Sequence, residues 1–158
     1  LKTAGASSPA PLDLDSPLRE GGLGFHVGFP QGREGEVTAR LLSRSRMITR
    51  GARRSEESAL VWAEIGRTSD IRGSLGGLSG GPVYDQDGRV RGVVIAESPR
   101  RGRIYTASPA SISDFLDREG VRPDEGRRQA FTVEDYGAKA DSARRDLQVV
   151  KIACDVRD

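Results

Sequence analysis

The chain reads Gly-Gly-Leu-Ser-Gly-Gly-Pro-Val over residues 76–83, directly at the start of a segment that predicts a strand. A serine hydroxyl is a poor nucleophile, so a site that uses one must expose it and must aim backbone N–H groups at the oxyanion that forms on attack. Glycines on both sides of Ser79 permit the turn and the close approach of substrate that this chemistry requires. Ser79 is therefore the candidate nucleophile.

Short segments rich in β-branched or aromatic residues lie on both sides of this stretch, each bounded by Gly, Pro, Asp or Ser. They cover residues 23–29, 36–44, 59–65, 81–85, 89–96 and 103–107. In the second segment, Val37, Ala39 and Leu41 alternate with polar residues, which is the period-two pattern of a strand with one buried face. Six short strands without intervening helices predict an all-β fold, either a small antiparallel barrel or a sandwich.

Helices are predicted only after the strands. Ser108 before a proline is typical of a helix start, an apolar stripe at i, i+3, i+4 spacing follows, and Gly120 ends the helix. Thr132 and Asp135 are spaced as a capping box before a second candidate helix, and residues 149–152 predict a terminal strand. The chain thus divides into a Pro- and Ser-rich linker at 1–22, a barrel with its closing helix at 23–118, and a tail at 119–158.

Residues 77–82, Gly-Leu-Ser-Gly-Gly-Pro, resemble the Gly-x-Ser-Gly-Gly-Pro signature of chymotrypsin-fold, trypsin-like serine proteases. The flanks resemble the bacterial Htr-type branch, because Gly-Phe-Pro-Gln-Gly at 28–32 precedes Val-Thr at 37–38. The resemblance covers residues 12–118. It implies a six-stranded antiparallel barrel with a C-terminal helix, the second barrel of a two-barrel fold, and an extracytoplasmic location in a bacterium.

The same resemblance implies a serine endopeptidase that hydrolyses peptide bonds through an acyl-enzyme on Ser79. The N–H groups of Gly77 and Ser79 would form its oxyanion hole. The primary specificity pocket would lie between the loop before the nucleophile and the strand after it. Its residues would be Gly73, near the base, and Val94, Ile95 and Ala96. Such a pocket is neutral, although Glu97 and Asp70 are alternatives for reading a basic side chain.

The sequence departs from the family at two points. Leu78 stands where many animal relatives have Asp, so the buried salt bridge that activates those enzymes cannot form. The family also carries its histidine and aspartate on an N-terminal barrel, upstream of everything matched here. His26 is the only histidine and lies inside a predicted strand, so we expect it to be structural. We therefore expect no His, Asp or Lys of this chain to complete the site. We expect Trp62 to pack either in the core or between barrels, and an apolar face toward the missing barrel to include Trp62 or Phe25.

Composition narrows the other function classes. The net charge is only +2 with acids interspersed among arginines, which argues against a nucleic-acid surface, and no run approaches the about 20 apolar residues of a membrane span. A single cysteine excludes an internal disulfide framework and disfavours a metal cluster, and nothing indicates a cofactor.

Two rival interpretations of the function stay open. One is a catalytically inactive protease-fold module that binds peptides or a partner. The other is a structural barrel whose glycine motif is coincidental.

Overall fold

A computed structural model describes residues 10–50, 54–123 and 126–153. Within these residues the strands are β1 (Leu23–Gly28), β2 (Gly35–Arg50), β3 (Arg54–Arg67), β4 (Pro82–Tyr84), β5 (Val90–Ser98) and β6 (Arg103–Ala107), and the helices are α1 (Pro109–Glu119) and α2 (Tyr136–Arg145). All neighbouring strands pair antiparallel in the order β1-β2-β3-β6-β5-β4, and the β1–β4 pairing closes the barrel. The predicted six-stranded antiparallel barrel followed by a helix is confirmed.

Strands β2 and β3 are longer than the sequence pattern predicts. Their pairing continues past Arg44 opposite Leu60 to Arg50 opposite Arg54. The apolar alternation ends earlier because this outer part of the hairpin has no core to cover, yet its backbone ladder still forms. An exposed ion pair, Arg46 Nη1 to Glu56 Oε1 at 2.7 Å, spans the two strands there and contributes little at such exposure.

The barrel interior is filled by apolar side chains that alternate along the strands. Its buried members are Val37, Ala39, Leu41, Leu60, Trp62, Ile71, Leu75, Leu78, Val83, Val94 and Ile104. Trp62 is 1% exposed and donates its indole N–H to Thr106 Oγ1 at 3.0 Å. Of the two roles expected for Trp62, the core position is therefore the one observed, and Trp62 does not face a missing barrel.

A second apolar cluster lies outside the barrel, between β1, β4 and the tail. Phe131 from the tail stacks on Phe25 with ring centroids 5.3 Å apart and on Tyr84 at 4.9 Å. Aromatic pairs of this kind contribute about 0.5–1.5 kcal/mol each beyond the area they bury. Phe25 is fully buried as a result, so the expectation that it faces another barrel is also wrong. The tail is thus an integral layer of the fold.

The helix signals in the sequence have the predicted geometry. Ser108 Oγ accepts a hydrogen bond from the N–H of Ser111 at 3.2 Å, and Gly120 ends α1 with a φ of 65°. At the start of α2, Thr132 N–H donates to Asp135 Oδ1 at 2.8 Å while Asp135 N–H donates to Thr132 Oγ1 at 3.2 Å, which is the reciprocal pattern of a capping box.

The predicted terminal strand at 149–152 does not form: these residues are irregular in the structure. Val149 is buried in the outer cluster, whereas Val150 and Ile152 are exposed. A strand needs a neighbouring strand edge, and here side chains rather than a backbone ladder hold the segment. Among the described residues, no helix is long and apolar enough to cross a membrane.

The predicted linker also contributes to the barrel. Leu12 forms an isolated parallel bridge with Val90 at the start of β5. Next to it, Asp13 Oδ2 forms salt bridges with Arg89 Nη1 at 2.9 Å and with Arg91 Nη1 at 2.7 Å. Because the Arg91 side chain is 2% exposed, its charge requires such a partner. The described part of the linker, from residue 10 onward, is therefore fixed to β5.

Candidate active site

Ser79 lies on a tight, exposed turn that leads into β4. The turn is held on both sides of the serine: Leu78 N–H donates to Leu75 O at 2.9 Å, and Gly81 N–H donates to Leu78 O at 2.9 Å. The Leu78 side chain is 2% exposed and anchors the turn in the barrel core. This arrangement fixes the backbone while leaving the hydroxyl of Ser79 open to solvent.

Two glycines of the motif are required by close backbone contacts. Gly77 has a φ of +96°, and a Cβ built on it would lie 2.7 Å from the carbonyl oxygen of Phe29. A Cβ on Gly81 would lie 2.5 Å from the carbonyl oxygen of Val27. Since these neighbours are backbone atoms that cannot rotate away, any side chain at either position displaces the turn.

The peptide between Gly76 and Gly77 has a defined orientation. Gly76 O accepts a hydrogen bond from Gln31 N–H at 2.6 Å. In a trans peptide the C=O and N–H groups point in opposite directions, so the Gly77 N–H points away from Gln31. Neither this N–H nor that of Ser79 donates a hydrogen bond to another described residue. Both N–H groups are therefore unengaged by the described residues.

The serine opens into a cavity of about 350 Å³. One wall is formed by the end of β1 and the glycine turn, and the other by the tail. The lining residues are Gly28, Phe29, Gly32, Gly77, Ser79, Gly80, Gly81, Pro82, Gln148, Val149, Val150, Lys151 and Ile152. Lys151 Nζ donates to Gly32 O at 2.9 Å across this cavity. Sequence reasoning did not place the tail at the serine, because no local pattern reports a contact across about 70 residues of chain.

A buried arginine fixes the tail wall. Arg144 on α2 donates to Gly28 O at 3.3 Å, to Gly35 O at 2.8 Å and to Glu36 Oε2 at 2.7 Å. Its guanidinium carbon also lies 5.8 Å from the centre of the Phe29 ring. These contacts join α2 to both sides of the loop between β1 and β2. That loop carries Gln31 and contributes Phe29 and Gly32 to the cavity.

The predicted pocket residues have different environments. The Val94 side chain is part of the barrel core, so only its backbone contacts the Ser79 turn, where Val94 O accepts from Gly80 N–H at 2.8 Å. Ile95 and Ala96 are half-buried on the part of β5 that extends beyond β4. Gly73 lies in the exposed loop, with a φ of +73°, and its carbonyl accepts from Arg67 at 2.8 Å.

The two carboxylates considered for charge recognition are both engaged. Asp70 forms an exposed ion pair with Arg33 at 2.9 Å. The Glu97 carboxylate reaches from β5 to the loop before the nucleophile, where it accepts from Leu75 N–H at 3.0 and 2.8 Å and from the Ser74 hydroxyl. Neither group is therefore a free anion at the base of a pocket in this structure.

His26 is far from solvent inside the barrel. Its side chain is 0% exposed, its ring packs edge-on against Trp62 with centroids 5.4 Å apart, and neither ring nitrogen has a partner among the described residues. Burial lowers the pKa of His26 to about 3.

The lysines were also considered as bases in the sequence. Lys2 lies outside the described residues. Lys151 follows the barrel in sequence, and the structure brings it to the wall of the serine cavity.

No protein-family model and no curated protein matches the chain. Among solved structures, the active form of the Rv3671c protease from M. tuberculosis matches with a TM-score of 0.58 at 19% identity, covering 73% of this chain and 50% of that one. The chain has the barrel fold of a trypsin-like protease. An inactive form of Rv3671c with a serine-to-alanine substitution gives a TM-score of 0.56 at 18% identity, covering 71% of this chain and 53% of that one.

A third structure, the MamO protease domain from Magnetospirillum magneticum in its apo form, matches with a TM-score of 0.45 at 20% identity, covering 63% of this chain and 49% of that one. The chain thus spans about half the length of the solved structures it matches. At these identities the likeness concerns the fold. The chemistry has to be argued from the residues around Ser79.

Proposed function

We propose that the protein is a serine endopeptidase in which Ser79 attacks the peptide carbonyl. The observation that carries the proposal is an exposed serine on a rigid glycine turn, with two unengaged backbone N–H groups beside it in one concavity. Attack by Ser79 Oγ on the scissile carbonyl gives a tetrahedral oxyanion, which the N–H groups of Gly77 and Ser79 stabilise. Collapse of this intermediate expels the amine and leaves an acyl-enzyme, which water then hydrolyses.

The proton of Ser79 requires a base. We expect this base to come from outside the described residues, because Lys151, the one lysine of the cavity lining, donates to Gly32 O. A general base must lie within about 2.6–3.2 Å of the hydroxyl, whereas His26 is sealed inside the barrel. We assign the base and its orienting carboxylate to the His and Asp of a first barrel, as the family resemblance implies. The substrate is then a peptide or protein, and Gly73, Ile95 and Ala96 remain the candidates for a neutral specificity pocket.

A groove along α1 fits the first barrel in our proposal. The helix buries no residue against its own barrel, and Phe115 in its apolar stripe is 53% exposed. Ile112, Phe115 and Leu116 line a groove of about 1280 Å³ together with Leu12 and Val93. Five charged residues, Glu56, Glu57, Asp114, Asp117 and Arg118, also line the groove. This mixture fits a non-obligate interface, which is about as polar as the rest of a protein surface. The proposed extracytoplasmic location would be tested separately by cell fractionation.

Fluorophosphonate labelling tests the proposal, because the reagent reacts with an activated serine and not with an inert one. We expect the intact protein, first barrel included, to be labelled and Ser79→Ala to abolish labelling. Ser45→Ala, which removes an exposed serine on β2, is the matched control and should leave labelling unchanged. Labelling that survives Ser79→Ala would refute the assignment of the nucleophile.

The rival function is an inactive module that binds a peptide or partner in the same cavity. The observation in its favour is that the tail, including Lys151, already lines one wall beside Ser79. Saturable peptide binding by the intact protein, without labelling or hydrolysis, would favour this rival. A structural barrel would show neither binding nor labelling.

A further inference from the structure

Three residues from separate parts of the chain hold residues 72–76, the segment that precedes the Ser79 turn. They are Gln31 in the loop after β1, Ser74 in the loop before the turn, and Glu97 on β5. We call them the oxyanion clamp. None belongs to the glycine motif, and the Ser79 chemistry proposed above does not use them directly.

Glu97 is the fixed point of the clamp. A β-bulge between Val94 and Ala96 re-aims the following side chains of β5, and the Glu97 carboxylate crosses to the neighbouring loop. There it accepts from the Leu75 N–H with both oxygens, at 3.0 and 2.8 Å, and from the Ser74 hydroxyl. Hydrogen bonds to an ionised acceptor are roughly twice as strong as neutral ones. A strand of the barrel thus holds the loop before the turn through a carboxylate.

Ser74 transmits this constraint to the next peptide. Its hydroxyl donates to Glu97, which leaves its lone pairs free, and Ser74 Oγ accepts from the Gly76 N–H at 3.0 Å. The single hydroxyl proton is committed to the carboxylate, so Ser74 can act only as an acceptor toward Gly76. The N–H of Gly76 is therefore fixed in direction.

Gln31 fixes the other end of the same residue. Its backbone N–H donates to Gly76 O at 2.6 Å, while its side-chain amide donates to Arg72 O at 2.6 Å and Ser74 O at 2.8 Å. Gln31 has a φ of 55°, a left-handed conformation that is uncommon for a residue other than glycine. Gln31 therefore adopts an energetically unfavourable backbone conformation while it forms three hydrogen bonds to this loop.

We propose that Gln31, Ser74 and Glu97 are positioning residues that hold the Gly76–Gly77 peptide with its Gly77 N–H directed at the oxyanion. This inference rests on the proposed function. Because both the N–H and the C=O of Gly76 are bonded, the peptide that follows cannot flip without breaking the clamp. Leu78 cannot form the buried salt bridge that orders this turn in many animal relatives. In this chain the hydrogen bonds of the clamp orient the peptide instead.

The kinetic test uses the intact protein with Ser74→Ala, Ser74→Thr and Glu97→Ala, and Glu20→Ala as an exposed carboxylate control. We expect Ser74→Ala and Glu97→Ala to lower kcat about 10- to 100-fold while KM changes less than about threefold, because an oxyanion donor acts mainly in the transition state. Ser74→Thr keeps the hydroxyl and should retain kcat within about threefold of the wild-type value, as should Glu20→Ala.

Two kinetic outcomes would overturn the clamp. Unchanged kcat in Glu97→Ala would show that the Gly77 N–H does not depend on it. A raised KM with unchanged kcat would show that these residues shape the substrate pocket. An intact wild-type protein that neither hydrolyses peptides nor reacts with a fluorophosphonate would instead refute the proposed function itself.

Amide exchange provides a test that needs no substitution and so survives any variant that fails to fold. In the 158-residue chain the Gly76 N–H is bonded to Ser74, whereas the Gly77 N–H has no partner among the described residues. We expect the Gly76 amide to exchange at least about tenfold more slowly than the Gly77 amide in NMR measurements. Equal exchange rates would overturn the clamp whether or not the protein is active.

Discussion

Acidification should destabilise the protein through His26, the one histidine of the sequence. The ring is fully buried against Trp62 without a hydrogen-bond partner among the described residues, and burial lowers the pKa of His26 from 6.5 to about 3. The folded protein therefore keeps the ring neutral over a pH range in which the unfolded chain binds a proton. Because the unfolded state binds more protons below pH 6.5, the free energy of unfolding falls as the pH decreases from 6.5 toward 3.

The expected magnitude follows from the two pKa values. Each pH unit below 6.5 removes about 1.4 kcal/mol as long as the folded form stays unprotonated, so lowering the pH from 7 to 5 should remove about 2 kcal/mol. Any folded-state pKa of His26 below about 4 gives nearly the same result, because the folded ring is then neutral throughout this interval. Such a loss is a large fraction of the about 5–15 kcal/mol by which domains are stable.

The assay compares urea unfolding of the wild-type protein and His26→Leu at pH 7 and pH 5. An apolar replacement forfeits no hydrogen bond, since neither ring nitrogen has a partner among the described residues. Carboxylates titrate alike in both proteins, so the difference between their pH dependences isolates the histidine. We expect that difference to be about 2 kcal/mol. A difference below about 0.5 kcal/mol would refute the argument, because the ring would then be protonated or hydrated in the folded state.

Two further predictions concern the tail and the proposed interface. Arg144→Ala should lower the free energy of unfolding by about 3 kcal/mol in urea titrations, because it leaves the partly buried Glu36 without its cation, whereas Arg145→Ala on the exposed side of α2 should change it by less than about 0.5 kcal/mol. Equal effects of the two variants would contradict a specific anchor. Phe115→Glu should leave the Tm of this chain nearly unchanged but lower kcat/KM of the intact protein at least about tenfold, since the exposed ring lies in the groove assigned to the first barrel. Val121→Glu, at an equally exposed position outside that groove, is the control, and equal activities of the two variants would argue against the interface.

Local sequence signals account for most of the barrel. Period-two alternation reports which side chains of β2 face the core, and the caps at Ser108 and Thr132 report where helices begin, because these signals depend on residues a few positions apart. The glycine motif around Ser79 is local in the same sense. A Cβ at Gly77 or Gly81 would lie 2.5–2.7 Å from a backbone oxygen of a neighbouring segment, so both positions require glycine. The sequence shows this requirement directly as two glycines.

Other features depend on contacts between distant parts of the chain. Strand β1 is buried on both faces because Phe131 covers its outer side, and no periodicity within residues 23–29 can reveal what a segment 100 residues later will cover. The same reason explains the error over Phe25, and it explains why the sequence left Trp62 between a core position and one between barrels. Their apolar character fixes only that they are buried, whereas the tertiary structure decides which surface buries them.

The candidate site divides along the same line. The sequence alone predicted Ser79 as the nucleophile and the N–H groups of Gly77 and Ser79 as the donors beside it, since a tight glycine turn is a local structure. It did not reveal that Lys151 lines the serine cavity. Nor did it reveal that Glu97 reaches the loop before the turn from 22 positions later in the sequence, and Gln31 from about 40 positions earlier. A carboxylate or an amide carries no mark of its partner in the sequence. Only the closing of the barrel brings these groups within hydrogen-bonding distance, because strand order and register, rather than sequence spacing, set which side chains meet.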